Sequence, residues 1–177
     1  SFDFNSDQST IEDHFKKFQI PNYNLIRGDF TKALPEEKYD YVFSNGFVEH
    51  FKNYDLILDN HFKLCKDNGR ILIKIPNKRY LRKYYGYLCD YENLKKHNLK
   101  SMSLSVFKNF AKRNDLEILH LGYFGGFPYE VHQSLNIFQR IIYGITRRLF
   151  KFILNPIIEK YPNRFLSGTI IAIFKKP

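Results

Sequence analysis

Tyr39-Asp40-Tyr41-Val42-Phe43-Ser44-Asn45-Gly46-Phe47-Val48-Glu49-His50-Phe51 is the stretch on which the reading of this chain turns. Tyr41-Val42-Phe43 is a short apolar run of the kind that forms a strand, and Asn45-Gly46 is a turn pair that stops it. Two earlier apolar runs end on an acid. Asp3 sits in Phe2-Asp3-Phe4, and Asp29 closes Tyr23-Asn24-Leu25-Ile26-Arg27-Gly28-Asp29-Phe30. In an open α/β sheet, ligands gather at the carboxyl ends of the strands. Polar residues at three successive strand ends therefore outline one side of a nucleoside pocket. One carboxylate there can accept both ribose hydroxyls, and a second can accept an exocyclic amine.

Helical and strand patterns alternate outward from this stretch. Ser9-Thr10-Ile11-Glu12 fits a capping box, and Ile11, Phe15 and Phe18 recur on one helical face until Pro21-Asn22. Residues 54–66 put Tyr54, Ile57, Leu58, His61, Phe62 and Cys65 on one face, with Asn68-Gly69 as the stop. Ile71-Leu72-Ile73-Lys74-Ile75 is a strand closed by Pro76-Asn77. Ser103 is placed to cap a helix that turns Val106, Phe107, Phe110 and Ala111 inward. Leu116–Tyr123 and Thr169–Phe174 are two more strands. This order predicts an α/β fold with a mostly parallel sheet. Residues 77–100 mix seven Lys and Arg with five Tyr and read as a lid or a solvated loop. Residues 129–166 hold a second insert. Its stripe of Phe138, Ile141, Ile142, Ile145, Leu149 and Phe152 predicts a helix over 135–155 that Asn155-Pro156 ends or bends. That stripe suits a core or an interface, and its Arg-rich flank also suits shallow membrane contact.

Composition bounds the function. The 177 residues are 44% apolar, enough for one domain with a sizeable core, and the 13 Tyr and 18 Phe are available for core and pocket walls. A net charge of +10 favours anionic partners, among them nucleic acid, acidic lipid and phosphorylated substrates. The two cysteines, Cys65 and Cys89, have no zinc-type spacing, so no metal centre is expected and a reducing, cytoplasmic setting is the default. No apolar run reaches the roughly 18 residues of a membrane span.

In order and spacing, these signals resemble the class I S-adenosylmethionine-dependent methyltransferases. Phe2-Asp3-Phe4-Asn5 looks like the family's second strand, Gly28-Asp29-Phe30 like the end of its third and Tyr39–Phe51 like its fourth. Asp67-Asn68-Gly69-Arg70-Ile71-Leu72-Ile73 resembles the turn and fifth strand. The resemblance implies a three-layer Rossmann-like sheet with an antiparallel last strand, and S-adenosylmethionine as cofactor. It implies that Asp3 and Phe4 lie at the ribose, Asp29 and Phe30 at the adenine, and Asn45 and Gly46 along the methionine part. The family's glycine-rich first motif would precede Asp3 by roughly twenty residues. Residues 1–177 are therefore expected to be the C-terminal portion of a single methyltransferase domain, incomplete at its N-terminus.

His50 is the candidate base, because it follows the fourth strand and an imidazole titrates near neutrality. Glu49 reads as a solvated carboxylate, or one that orients His50 or binds a cation. His97 can face substrate from the insert, and His61 and His120 read as ordinary buried or surface residues. The expected reaction is methyl transfer to an oxygen or nitrogen of a small or carbohydrate-linked acceptor. Pro76-Asn77, His97-Asn98-Leu99-Lys100 and Gly122-Tyr123-Phe124-Gly125 look like bacterial methyltransferases encoded with surface-polysaccharide genes. A nucleic-acid methyltransferase is the alternative that the charge supports, although the fourth motif lacks the Asn/Asp-Pro-Pro-aromatic pattern. A non-catalytic scaffold or membrane-associated partner protein is a third. The helical insert is the element expected to carry a homodimer or peripheral membrane contact.

Overall fold

The computed structural model describes residues 2–3, 8–19 and 26–177, in two compact units, Ser1–Glu37 and Lys38–Pro177. In the first unit, β1 (Phe2–Asp3) pairs in parallel with β2 (Ile26–Arg27), and Asp3 lies opposite Arg27. Between them runs α1 (Gln8–Lys17). Ser9 lies inside this helix rather than ahead of it, so the expected capping box is not the N-terminus. The helix gives way to a turn in which Gln19 has φ 52°, before Pro21-Asn22, which lies outside the described residues, as does Leu25.

The second unit is built on a four-stranded sheet in the order β3 (Tyr39–Asn45), β4 (Cys65–Pro76), β6 (Thr169–Lys175), β5 (Glu117–Phe124). β3 and β4 are parallel, and β6 runs antiparallel to both of its neighbours. Only the last strand is reversed, as the resemblance implies. Period-2 alternation explains the burial: Ile71, Ile73 and Ile75 of β4 and Ile170, Ala172 and Phe174 of β6 all face the core. Against them lie α2 (Tyr54–Leu64), through Ile57 and Leu58, and α5 (Leu104–Arg113), through Phe107 and Phe110. The Phe110 and Phe174 rings meet edge to face at 5.3 Å.

The helix–strand junction differs from the sequence reading. α2 stops at Leu64, and the left-handed residue is Asn68 (φ 62°), not Gly69. Gly69 is needed for close approach, since a Cβ there would come within 2.7 Å of Cys65 Sγ and of the Lys66 carbonyl oxygen. Ser103 precedes α5 as expected, but its hydroxyl contacts Ser105 rather than a helix amide.

Residues 77–100 are not a solvated loop. They form α3 (Tyr80–Cys89) and α4 (Tyr91–Leu94), held by a buried ion pair. Arg82 Nη2 donates to Asp90 Oδ2 at 2.6 Å and to the Glu130 carbonyl at 3.2 Å. Asp90 also accepts from Asn93 Nδ2 and from the His132 amide. Those donors hold its carboxyl below the ordinary range although burial pushes the other way. The second insert forms α6 (Ile137–Leu149), a π-turn over Phe150–Leu154 and α7 (Asn155–Lys160). Pro156 does not end the helical run, because it sits in the first turn of α7, where a missing amide costs nothing. Phe127, Phe150 and Ile158 join Tyr85 and Cys89 of α3 in a second apolar cluster. Removing one charge of the Arg82–Asp90 pair leaves the other buried and unmatched. Asp90→Ala should therefore lower stability by about 3 to 5 kcal/mol in urea titration, and a loss under about 1 kcal/mol would show that the pair is dispensable.

Candidate functional site

The parallel strands β3 and β4 end beside one another, and the segments leaving them build one polar cluster. Gly46 turns the chain out of β3 at φ 65°, with its amide donating to the Lys74 carbonyl at 2.9 Å. A short 3-10 turn, Val48–His50, follows and points Glu49 inward. Glu49 is 1% exposed, so its reading as a solvated carboxylate is overturned. Its backbone carbonyl accepts from the Asn98 amide at 2.7 Å, and Asn98 Nδ2 donates to the Phe51 carbonyl at 2.9 Å. Contacts to a residue almost fifty positions away thus fix the loop, and no local pattern announces them.

His50 and His97 stand over this carboxylate with ring centroids 4.7 Å apart. His50 Nδ1 lies 3.2 Å from the Lys96 carbonyl and His97 Nδ1 2.6 Å from the Asn93 carbonyl. A carbonyl can only accept, which assigns a proton to Nδ1 in both rings. His50 Nε2 is 4.0 Å from Glu49 Oε1, while Glu49 Oε2 is buried without a hydrogen-bond partner. Lys78 completes the group. Its ammonium donates to Asn93 Oδ1 at 2.7 Å and lies 3.3 Å from His97 Nδ1.

The electrostatics follow from burial. Desolvation raises the Glu49 carboxyl to about 7. It lowers Lys78 to about 8, with the nearby Arg82 charge adding to the effect. It lowers His97 to about 4, helped by the Lys78 charge. His97 is therefore neutral at physiological pH, and Glu49 is poised between its two forms. Carboxylate and imidazole atoms of Glu49, His50 and His97 lie within 4.8 Å of one another, close enough to meet on one cation. Lys78 already supplies positive charge at the cluster, so the arrangement is better suited to moving a proton than to holding a metal.

The remaining sequence-predicted residues fall as follows. Asp3 ends β1 and Asp29 comes two residues after the end of β2, so both backbones reach the carboxyl ends of adjacent parallel strands. The Asp3 side chain and all of Phe4 lie outside the described residues. Asp29 Oδ1 accepts from the Thr31 hydroxyl at 2.6 Å and the Thr31 amide at 2.9 Å, and Oδ2 pairs with Lys32 at 3.3 Å. These bonds, the Thr31 hydroxyl first, lower its pKa and give it the geometry of a turn former. Phe30 is buried, and Asn45 is exposed at the end of β3. His61 is buried, with Nδ1 2.6 Å from the Ile57 carbonyl, as its ordinary reading implies. Sequence reasoning missed Lys78 and Asn98. The only available signal was their place, directly after a strand and directly after a candidate histidine.

Comparison with known proteins gives the family and the fold. A family model described as "Methyltransferase domain" matches residues 2–121, which is most of the chain. The chain belongs to the class I S-adenosylmethionine-dependent methyltransferase family. A 64-residue stretch is 31% identical to (S)-coclaurine N-methyltransferase of Papaver somniferum, covering 36% of this chain but only 18% of the poppy enzyme. Two of the solved structures that share the fold are these. A SAM-dependent methyltransferase from Archaeoglobus fulgidus is 20% identical with a TM-score of 0.58, over 99% of this chain and 74% of that one. Coclaurine N-methyltransferase bound to N-methylheliamine and SAH is 15% identical with a TM-score of 0.58, over 99% and 57%.

In this methyltransferase-family chain, Glu49 imposes a pH signature on stability. Its folded-state carboxyl holds a proton above the ordinary 4.5, so its contribution is whole below that pH and is lost as pH rises to about 7. His97 acts in the opposite sense, its penalty fading as pH rises from about 4 to 6.5. Comparing Glu49→Gln with wild type cancels the His97 contribution. The variant should gain on wild type between pH 4.5 and 7 by about 3 kcal/mol, read from urea midpoints, and a difference that stays flat with pH would contradict the burial argument.

Proposed function

We propose that this chain carries out methyl transfer from S-adenosylmethionine to the nitrogen of a small acceptor, with Glu49 and His50 removing the acceptor's proton. The observation that carries this is the buried Glu49 carboxyl, raised to about 7 and 4.0 Å from an imidazole that reaches solvent. An amine acceptor arrives as an ammonium with no lone pair. It can attack only after losing one proton, and a base with a pKa near the working pH serves that best. In the proposed path the proton passes from the acceptor nitrogen to Nε2 of the exposed His50, the ionised Glu49 carboxylate 4.0 Å away stabilises the imidazolium, and the proton then leaves to water. The Nδ1–H bond to the Lys96 carbonyl holds the ring in the tautomer this requires. His97, kept neutral, and Lys78 close the far side of the cluster.

The bound cofactor supplies an electrophilic methyl on a sulfonium with a neutral leaving group, and so needs no acid from the protein. We assign cofactor contacts to Asp3, Phe4, Asp29, Phe30, Asn45 and Gly46. All six assignments rest on the family resemblance, and the Asp29 oxygens are engaged by Thr31 and Lys32. The partial match to a protein named as an N-methyltransferase supports nitrogen over oxygen. An amino sugar, free or glycan-linked, satisfies both this chemistry and the surface-polysaccharide resemblance.

Transfer of labelled methyl from S-adenosylmethionine to a panel of small amines, amino sugars and matched alcohols tests the reading. Methylation of an amine is expected, with kcat/KM rising through about pH 7, where Glu49 loses its proton. Glu49→Gln should lower kcat by about 100-fold or more while leaving binding of S-adenosylhomocysteine unchanged. Exclusive methylation of alcohols, or full activity in Glu49→Gln, would overturn it.

A further inference from the structure

We infer that α6 and the π-turn after it form a docking surface for an anionic lipid bilayer. The stripe of residues 135–155 is not core. Of its six apolar members only Ile142 packs on the second apolar cluster, with Tyr143 beside it. Phe138 is 75% exposed, Ile145 63% and Phe152 70%, and Ile141 and Leu149 are also exposed. An outward apolar row of this length on an otherwise well-capped helix lacks a partner in the described residues.

The charges beside the row indicate what covers it. Arg140, Arg147, Arg148 and Lys151 lie on the same helical run, and α6 contains no acid. Gly144 leaves a gap in the ridge where a Cβ would meet nothing within 4 Å. The gap opens into a groove of about 270 Å³ lined by Tyr143, Arg147, Arg148, Lys151 and Phe152. Three cations and an aromatic edge around a small concavity match a phosphate headgroup, and the neighbouring apolar row matches acyl chains. Arg148 lies three residues after Ile145 and seven after Ile141, hence within the row. A two-fold copy of this chain would press arginine against arginine, or bury it on isoleucine, whereas a lipid phosphate satisfies it. The net charge of +10 adds long-range attraction to an anionic surface. The contact is peripheral, since no helix among the described residues is long and apolar enough to cross a membrane.

Flotation with vesicles of phosphatidylcholine alone, and with about 30% phosphatidylglycerol, tests this inference. The whole protein should float with the anionic vesicles and remain behind with the neutral ones, and 0.5 M salt should weaken the association at least several-fold. Ile145→Asp and the pair Arg147→Glu with Arg148→Glu should each reduce bound protein by 10-fold or more. All three positions are exposed, so an unchanged thermal melt serves as the folding control. Absence of flotation with anionic vesicles, or flotation that both variants leave intact, would overturn the inference. A wild-type dimer in light scattering that Ile145→Asp converts to monomer would overturn it too, by assigning the row to a second copy.

Discussion

The site depends on one constraint, a carboxylate driven out of water. Glu49 is buried because Gly46 turns the chain sharply at the end of β3 and because Asn98 grips the loop from both sides, through its amide on Glu49 and its side chain on Phe51. Once buried, the group can ionise only with help; its neighbours are His50, His97 and Lys78, and burial has lowered His97 and Lys78 as well. Burial alone would be a stability cost without purpose. Beside the exposed His50, a carboxyl raised to about 7 supplies the charge near neutral pH that the proposed reaction uses.

The fold supplies this arrangement cheaply. Parallel β3 and β4 release their chains at the same edge, so Glu49, His50 and Lys78 converge although Lys78 is separated from the other two by a whole helix and strand. Asn77, just before Lys78, is fully buried. Its side chain donates to the Arg164 and Ser167 carbonyls, and its amide to Gly168, locking the end of β4 to the approach of β6. The site is thus carried by short segments that leave one edge of the sheet and are pinned to it. The α3–α4 insert, pinned by Arg82 and Asp90, carries His97 and Asn98 to it.

What the sequence made legible was whatever local periodicity controls. The alternation of Ile71, Ile73 and Ile75, the inward Phe107 and Phe110, and the reversed last strand are all visible in spacing and in family order. His50 was legible by its place after a strand. The rest depends on contacts distant in sequence. Nothing near Glu49 reveals that Asn98 will bury it. Nothing in the Lys/Tyr texture of residues 77–100 reveals that Arg82 finds Asp90 and Glu130, which turns an apparent loop into helices. The α6 stripe was read correctly as a helix, but a helical period cannot say which way an apolar face points. Here the face points outward, and the chain fills its second cluster with Phe127, Phe150 and Ile158 instead.

The most direct measurement is the titration of Glu49 itself, followed by NMR of the side-chain carboxyl carbon in protein labelled at glutamate, with Glu49→Gln to assign the resonance. Burial of the carboxyl should place the midpoint near 7, well above the ordinary 4.5. A midpoint at the ordinary value would mean that the carboxylate sits in water, and the proton-accepting cluster would then have no physical basis.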